Sequence, residues 1–179
     1  MFRLLPETDD DTDEVEMLLD LAFAPGRNAL SSYKLREGVP PLRELCRIVR
    51  DEYDAVVAAI RFWPVVIGTA QHPALLLGPI AVHPTRQGEG LGALLMADTL
   101  GHAAKIGWDR VILVGDAPYY RRFGFSRDQA LAIDFPKPVN PERVLARALA
   151  PDAFRDVTGA VQPWPAPPPD TKPAPKTTE

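Results

Sequence analysis

Cysteine is nearly absent: Cys46 is the single one among 179 residues. That excludes a disulfide framework and any metal site built from several thiolates. No apolar run approaches the roughly 18 residues a membrane-spanning helix needs. The N-terminus turns acidic at once and lacks the basic-then-apolar order of a secretory signal. An excess of positive charge is also missing. Twenty Lys and Arg stand against 24 Asp and Glu, giving a formal net charge of −4. Nucleic acid and anionic membrane usually require a basic footprint, so neither is expected as the main partner, although a local basic pocket for a small anion is allowed. The acids between Glu7 and Glu16 imply no ligand geometry, and no metal is expected. With 46% hydrophobic residues, the chain is read as one soluble, cytoplasmic domain with a real core.

Apolar spacing orders the elements. Phe2–Pro6 reads as a first strand. The acid run then opens a helix, with Asp11 as its cap and Glu14 three residues on, because carboxylates suit the positive end of a helix dipole. Val15, Leu18, Leu19, Ala22 and Phe23 supply its buried stripe, and Pro25-Gly26 stops it. Ser31 and Ser32 start a short helix through Arg36. Strands are expected at Leu42–Arg50, Ala55–Phe62 and Leu75–Val82, the last buried on both faces. Proline cannot donate to a ladder, so Gly78-Pro79 should bulge this third run. A helix over Gly92–Ile106 ends at Gly107. After it come a strand at Arg110–Val114, a short helix at Pro118–Phe123 and a strand at Leu131–Phe135. Residues 141–149 carry both helix-start and strand-alternation cues. From Pro163 onward seven of seventeen residues are proline, which marks 161–179 as a disordered tail after a domain spanning 1–160.

The chemistry points to Leu76–Gly92, a buried strand that runs through a glycine-rich turn into a helix N-terminus. Such a turn aims several backbone N–H groups at one place, and the glycines let a ligand approach without Cβ collision. A diphosphate is the natural guest, with Arg86 adding charge at the rim. The turn is not a Walker loop, because Gly92 is followed by Ala93-Leu94 instead of Lys-Ser/Thr. It is not the dinucleotide fingerprint either, because Gly88, Gly90 and Gly92 are spaced by two.

Gln87-Gly88-Glu89-Gly90-Leu91-Gly92 resembles the Q/R-x-x-G-x-G/A signature of the GNAT superfamily of acyl-CoA-dependent N-acetyltransferases. Ile80-Ala81-Val82-His83-Pro84 looks like the strand that precedes it. Tyr119-Tyr120-Arg121-Arg122-Phe123-Gly124-Phe125 is similar to the family's F-Y-x-x-x-G-F segment, and Gly115–Tyr120 resembles its YhbS-like bacterial branch. The resemblance implies an α/β fold: a mixed, mostly antiparallel sheet of six to seven strands, split between strands 4 and 5 and flanked by helices on both faces. It implies acetyl-CoA as cosubstrate, an amine-bearing acceptor and direct attack in a ternary complex. Pantetheine would pair with the opened edge at Ile80, Ala81 and Val82. The diphosphate would sit around Gln87, Gly88, Gly90, Leu91 and Gly92, with Arg86 at the rim. The implied C-terminal hairpin tips residues 141–149 toward strand.

By the same matching, Tyr120 takes the place of the tyrosine that protonates the leaving thiolate, and Tyr119 is read as packing. The general base is not identified. The expected fourth strand holds no carboxylate, Asp116 reads as a helix cap, and His72 and His83 read as loop histidines. Arg27, Tyr33, Arg36, Arg61 and Trp63 are candidates for the acceptor mouth, where arginines would favour a carboxylate or phosphate. Cys46 is expected in the core. A non-catalytic acyl-CoA-binding module is the alternative reading, and a homodimer is left open.

Overall fold

In the computed structural model, which describes residues 1–23, 27 and 30–165, the strands are β1 (Arg3–Pro6), β2 (Arg47–Arg50), β3 (Val56–Ile67), β4 (His72–Val82), β5 (Arg110–Val114), β6 (Ile133–Asp134), β7 (Val144–Ala148) and β8 (Gly159–Pro163). The helices are α1 (Thr12–Ala22), α2 (Ser31–Lys34), α3 (Leu91–Lys105) and α4 (Ala117–Arg121). The strands form an eight-stranded sheet in the order β1-β2-β3-β4-β5-β7, with β8 bridging β3 and β6. Along the main path every pair is antiparallel except β4–β5.

All twelve residues of β3 are buried, because both sheet faces are covered. Side chains on a strand alternate between faces, and the two sets meet different helices. Val49, Ala58, Ile60 and Leu77 pack with Leu91, Leu95 and Met96 of α3. Ile48, Ala59 and Ala81 pack with Val15, Leu18 and Leu19 of α1. The sequence reading ended this strand at Phe62, before Pro64. The strand in fact runs on to Ile67. The Phe62 carbonyl accepts from Leu42 N on the side away from β4. Pro64, two residues on, therefore aims its missing donor away from β4 as well, at the edge where β2 has left and β8 joins only from Val65.

Other boundaries shift for local reasons. Residues 43–45 form a 3-10 turn, so β2 starts at Arg47. Asp11 is the N-cap of α1 as expected but makes no side-chain capping bond there; it stands third in the capping box of the preceding 3-10 turn, its Oδ2 accepting from Thr8 N at 2.7 Å and Thr8 Oγ1 at 2.9 Å. The helix stop assigned to Pro25-Gly26 lies outside the described residues. Both cues at 141–149 are real, with a 3-10 turn at Pro141–Arg143 leading into β7. The folded part extends past the expected boundary at 160. Val161–Pro163 pair with Val65–Ile67, and Trp164 meets Trp108 edge-on at 6.1 Å. The remainder of the proposed tail, from residue 166, lies outside the described residues. Among the described residues, no helix is long and apolar enough to cross a membrane.

Candidate active site

The turn between β4 and α3 is held open by its own backbone. Gly88 and Gly90 have φ of +84° and +79°, a region where a Cβ collides with its own chain, so glycine is favoured there. Gly90 is also the N-cap of α3. With no side chain it cannot satisfy the first-turn N–H groups, which remain available to an outside acceptor. Gln87, Gly88 and Gly90 are exposed, while Leu91 and Gly92 are buried against the sheet. At its other end α3 closes in a Schellman motif, Trp108 N donating to Ala103 O and Gly107 N to Ala104 O.

The strand before the turn is bulged and splayed. Ile60 pairs with Ile80 and Phe62 with Leu77, so Gly78 and Pro79 together face the single residue Arg61. On the other side β4 pairs with β5 only at Leu75↔Val111 and Leu76↔Ile112. Beyond Leu76 the β4 edge that faces β5 carries no ladder, and a cleft of about 440 Å³ opens there. Leu77–Ile80 line one wall, Val114–Asp116 with Tyr119 and Tyr120 the second, and Phe23 with the α2 segment the third.

The two tyrosines divide the second wall. Tyr120 packs over Gly115, where a Cβ would collide with its ring, and contacts Phe125 edge-on. Burial pushes its phenol up to about 12. Tyr119 is more exposed and reaches across to α3, its hydroxyl 2.4 Å from where a Cβ on Gly92 would stand. Sequence reading treated Tyr119 as packing alone and did not foresee that it lines the cleft. Its neighbour in the motif pointed inward, and nothing local showed that the next residue would span to the glycine turn.

Residues 43–127 match the sequence profile of the acetyltransferase (GNAT) domain. Over that stretch the chain is similar to the GNAT acetyltransferases. Over 152 residues, 85% of this chain and 90% of the relative, it is 26% identical to the uncharacterized N-acetyltransferase YhbS of Escherichia coli K12. The crystal structure of E. coli YhbS in complex with CoA superposes with a TM-score of 0.77, covering 92% of this chain and 89% of that one at 26% identity. A GNAT family acetyltransferase from Brucella melitensis, solved with acetyl-CoA, gives 0.67 at 26% identity, covering 93% and 97%. The recognised family, the mixed and mostly antiparallel sheet, and the classification as an N-acetyltransferase accord with these findings. The sheet has eight strands where six or seven were expected, because β8 adds to β3 beyond β2.

Within this GNAT-like domain Arg86 is already engaged. Its Nη2 donates to Asp51 Oδ2 at 2.9 Å and Glu52 Oε1 at 3.1 Å, so its charge is compensated at the β2–β3 turn. Asp51 in turn accepts from Tyr53 N and Ala55 N, which fixes that turn beside the glycine loop. His83 Nδ1 accepts from Thr85 N at 3.2 Å and caps the 3-10 turn at Pro84–Arg86. Asp116 occupies the N-cap position of α4 without a side-chain capping bond, and among the described lining residues it is the one carboxylate. Cys46 is fully buried, and burial pushes its thiol up to about 11, which rules against a nucleophile.

The arginines proposed for the acceptor mouth separate sharply. Arg61 is bonded to both carboxylate oxygens of Glu7 and to Glu16 Oε1 at 2.6 Å. Arg27 bonds Asp20, Glu16 and the Tyr33 hydroxyl. Trp63 stands behind the wall, its Nε1 donating to Val39 O at 2.8 Å. Tyr33 and Arg36 do line the cleft. Arg143, which sequence reading did not single out, joins them from the start of β7.

Proposed function

We propose that the protein transfers an acetyl group from acetyl-CoA to a primary amine by direct attack within a ternary complex. One observation carries this reading: the uncapped N-terminus of α3, with its two left-handed glycines, adjoins an unladdered edge of β4. A diphosphate fits the first feature. An extended amide chain fits the second, adding to the free edge as a further strand.

In this reading the amides around Gln87, Gly88, Gly90, Leu91 and Gly92 bind the diphosphate. Ile80, Ala81 and Val82 offer backbone partners to the pantetheine arm. Arg86 braces the loop through Asp51 and Glu52 instead of reaching the phosphates. Backbone N–H groups of β4 near Ile80 face the developing oxyanion. The Tyr120 hydroxyl gives its proton to the departing thiolate. A phenol raised to about 12 holds that proton firmly at neutral pH, as an acid for this step must. The acceptor amine loses its proton to water or to Asp116.

Absence of any carboxylate on β4 favours a second reading, an acyl-CoA-binding module without turnover. A screen for CoA release over chemically diverse amines separates the two. Sustained release with at least one amine establishes transfer. Tight acetyl-CoA binding with no release across the panel overturns it.

A further inference from the structure

Arg36 is an anomaly in this cleft. Its guanidinium lies between two rings, 4.2 Å from the Tyr33 centroid and 4.8 Å from that of Trp63. Its Nε and Nη1 are buried without a hydrogen-bond partner. It forms no salt bridge among the described residues, whereas its neighbours Arg27 and Arg61 are held by Asp20, Glu16 and Glu7. A buried charge without a counterion costs stability and calls for an explanation. Burial lowers the Arg36 pKa to about 10, so the group is still a cation at pH 7.

Its position along β4 supplies the explanation. The diphosphate loop follows Val82, and an arm paired along Val82, Ala81 and Ile80 runs back toward Gly78. Arg36 stands at that far end, its Nη2 3.6 Å from the place a Cβ would occupy on Gly78. It faces the cleft where the arm would end and the acceptor would begin. We propose that Arg36 is the acceptor-recognition residue and that the acceptor amine carries a carboxylate, as an amino acid does. The inference rests on the transfer reading above. With Arg143 also lining the cleft, the unpaired Arg36 guanidinium on this wall matches an anionic group such as a carboxylate. The flanking rings hold its planar fork in place before the ligand arrives, limiting the entropy lost on binding.

The test is calorimetry on CoA-saturated protein with matched pairs, N-acetylated amino acids against their carboxamides, across small, aliphatic, aromatic and acidic side chains. At least one acid should bind tenfold or more tightly than its amide. Arg36→Met should erase that preference and raise thermal stability, because an orphaned buried cation is removed. Arg36→Lys should restore part of the preference. Equal binding of acid and amide throughout, no binding of any acid, or a preference that survives in Arg36→Met overturns the proposal. So does a fall in stability on Arg36→Met, which would mark a structural role. If CoA itself fails to bind, the transfer reading falls, and the same pairs titrated into the free protein still decide the carboxylate site.

Discussion

The Tyr119 hydroxyl occupies the space that a side chain on Gly92 would need. The two residues come from different elements, α4 and the first turn of α3, and a Cβ on Gly92 would stand 2.4 Å from that oxygen. This contact closes the glycine turn against the cleft wall. It also gives a reason for glycine at position 92, where the backbone φ is ordinary.

Gly92→Ala should therefore destabilise the protein by about 1–2 kcal/mol, the range of a modest overpacking. The clash is with one atom, the next ring carbon being 3.8 Å away. Adding Tyr119→Phe should recover most of the loss. Urea denaturation of the two variants and wild type reads both effects, and a double variant no more stable than the single one would refute the contact.

Tyr120→Phe should leave acetyl-CoA affinity unchanged and lower kcat by about 10²-fold, the lower range for a positioned acid. Because a group raised to about 12 keeps its proton below that value, Tyr120 should produce no alkaline fall in wild-type kcat up to about pH 10. A fall with a midpoint near 8 would remove Tyr120 from the role.

Arg61→Ala should be strongly destabilising, by about 3–5 kcal/mol, since it leaves the fully buried Glu7 side chain with only a 3.4 Å contact to Arg43 among the described residues. Loss of less than about 1 kcal/mol in chemical denaturation would mean that the pair is not buried as described.

Acid should destabilise the α1 face. Burial alone would raise the Asp11 and Glu16 carboxyls, yet both lie below the usual range. Bonds from Thr8 and Arg50 outweigh burial at Asp11, and bonds from Arg61 and Arg27 do so at Glu16. A carboxyl depressed by folding contributes its full stability above its unfolded pKa of about 4 and loses it as pH falls through the lower folded value. Stability should thus decline below about pH 4, and less steeply in Glu16→Gln. Identical acid profiles for the two proteins would contradict the assignment.

Much of the site was legible because its signals are local. Positive-φ demand marks Gly88 and Gly90, a missing donor marks the bulge at Pro79, and the end of α3 follows from Gly107. The boundaries of β5 were readable for the same reason, a short apolar run between polar flanks. Arg36 and Arg61 were not separable from sequence. Both are arginines near aromatic residues, and only the fold decides that Glu7 and Glu16 reach one while no carboxylate among the described residues pairs with the other. The fate of Arg86 depends likewise on a turn more than thirty residues upstream. β8 carries few apolar residues, and its pairing with β3 exists only once β2 has ended.

The central claim, that the turn before α3 holds the diphosphate of acetyl-CoA, is tested most directly by titrating acetyl-CoA into wild type and Gly90→Glu. A Cβ at Gly90 meets nothing within 4 Å, although its φ of +79° strains any side chain locally, so the substitution perturbs the loop and leaves the core intact. Wild type should bind at one site per chain with micromolar affinity, and Gly90→Glu should bind at least a hundredfold more weakly while remaining folded. Equal affinity in the two proteins, or no heat with wild type, would contradict it.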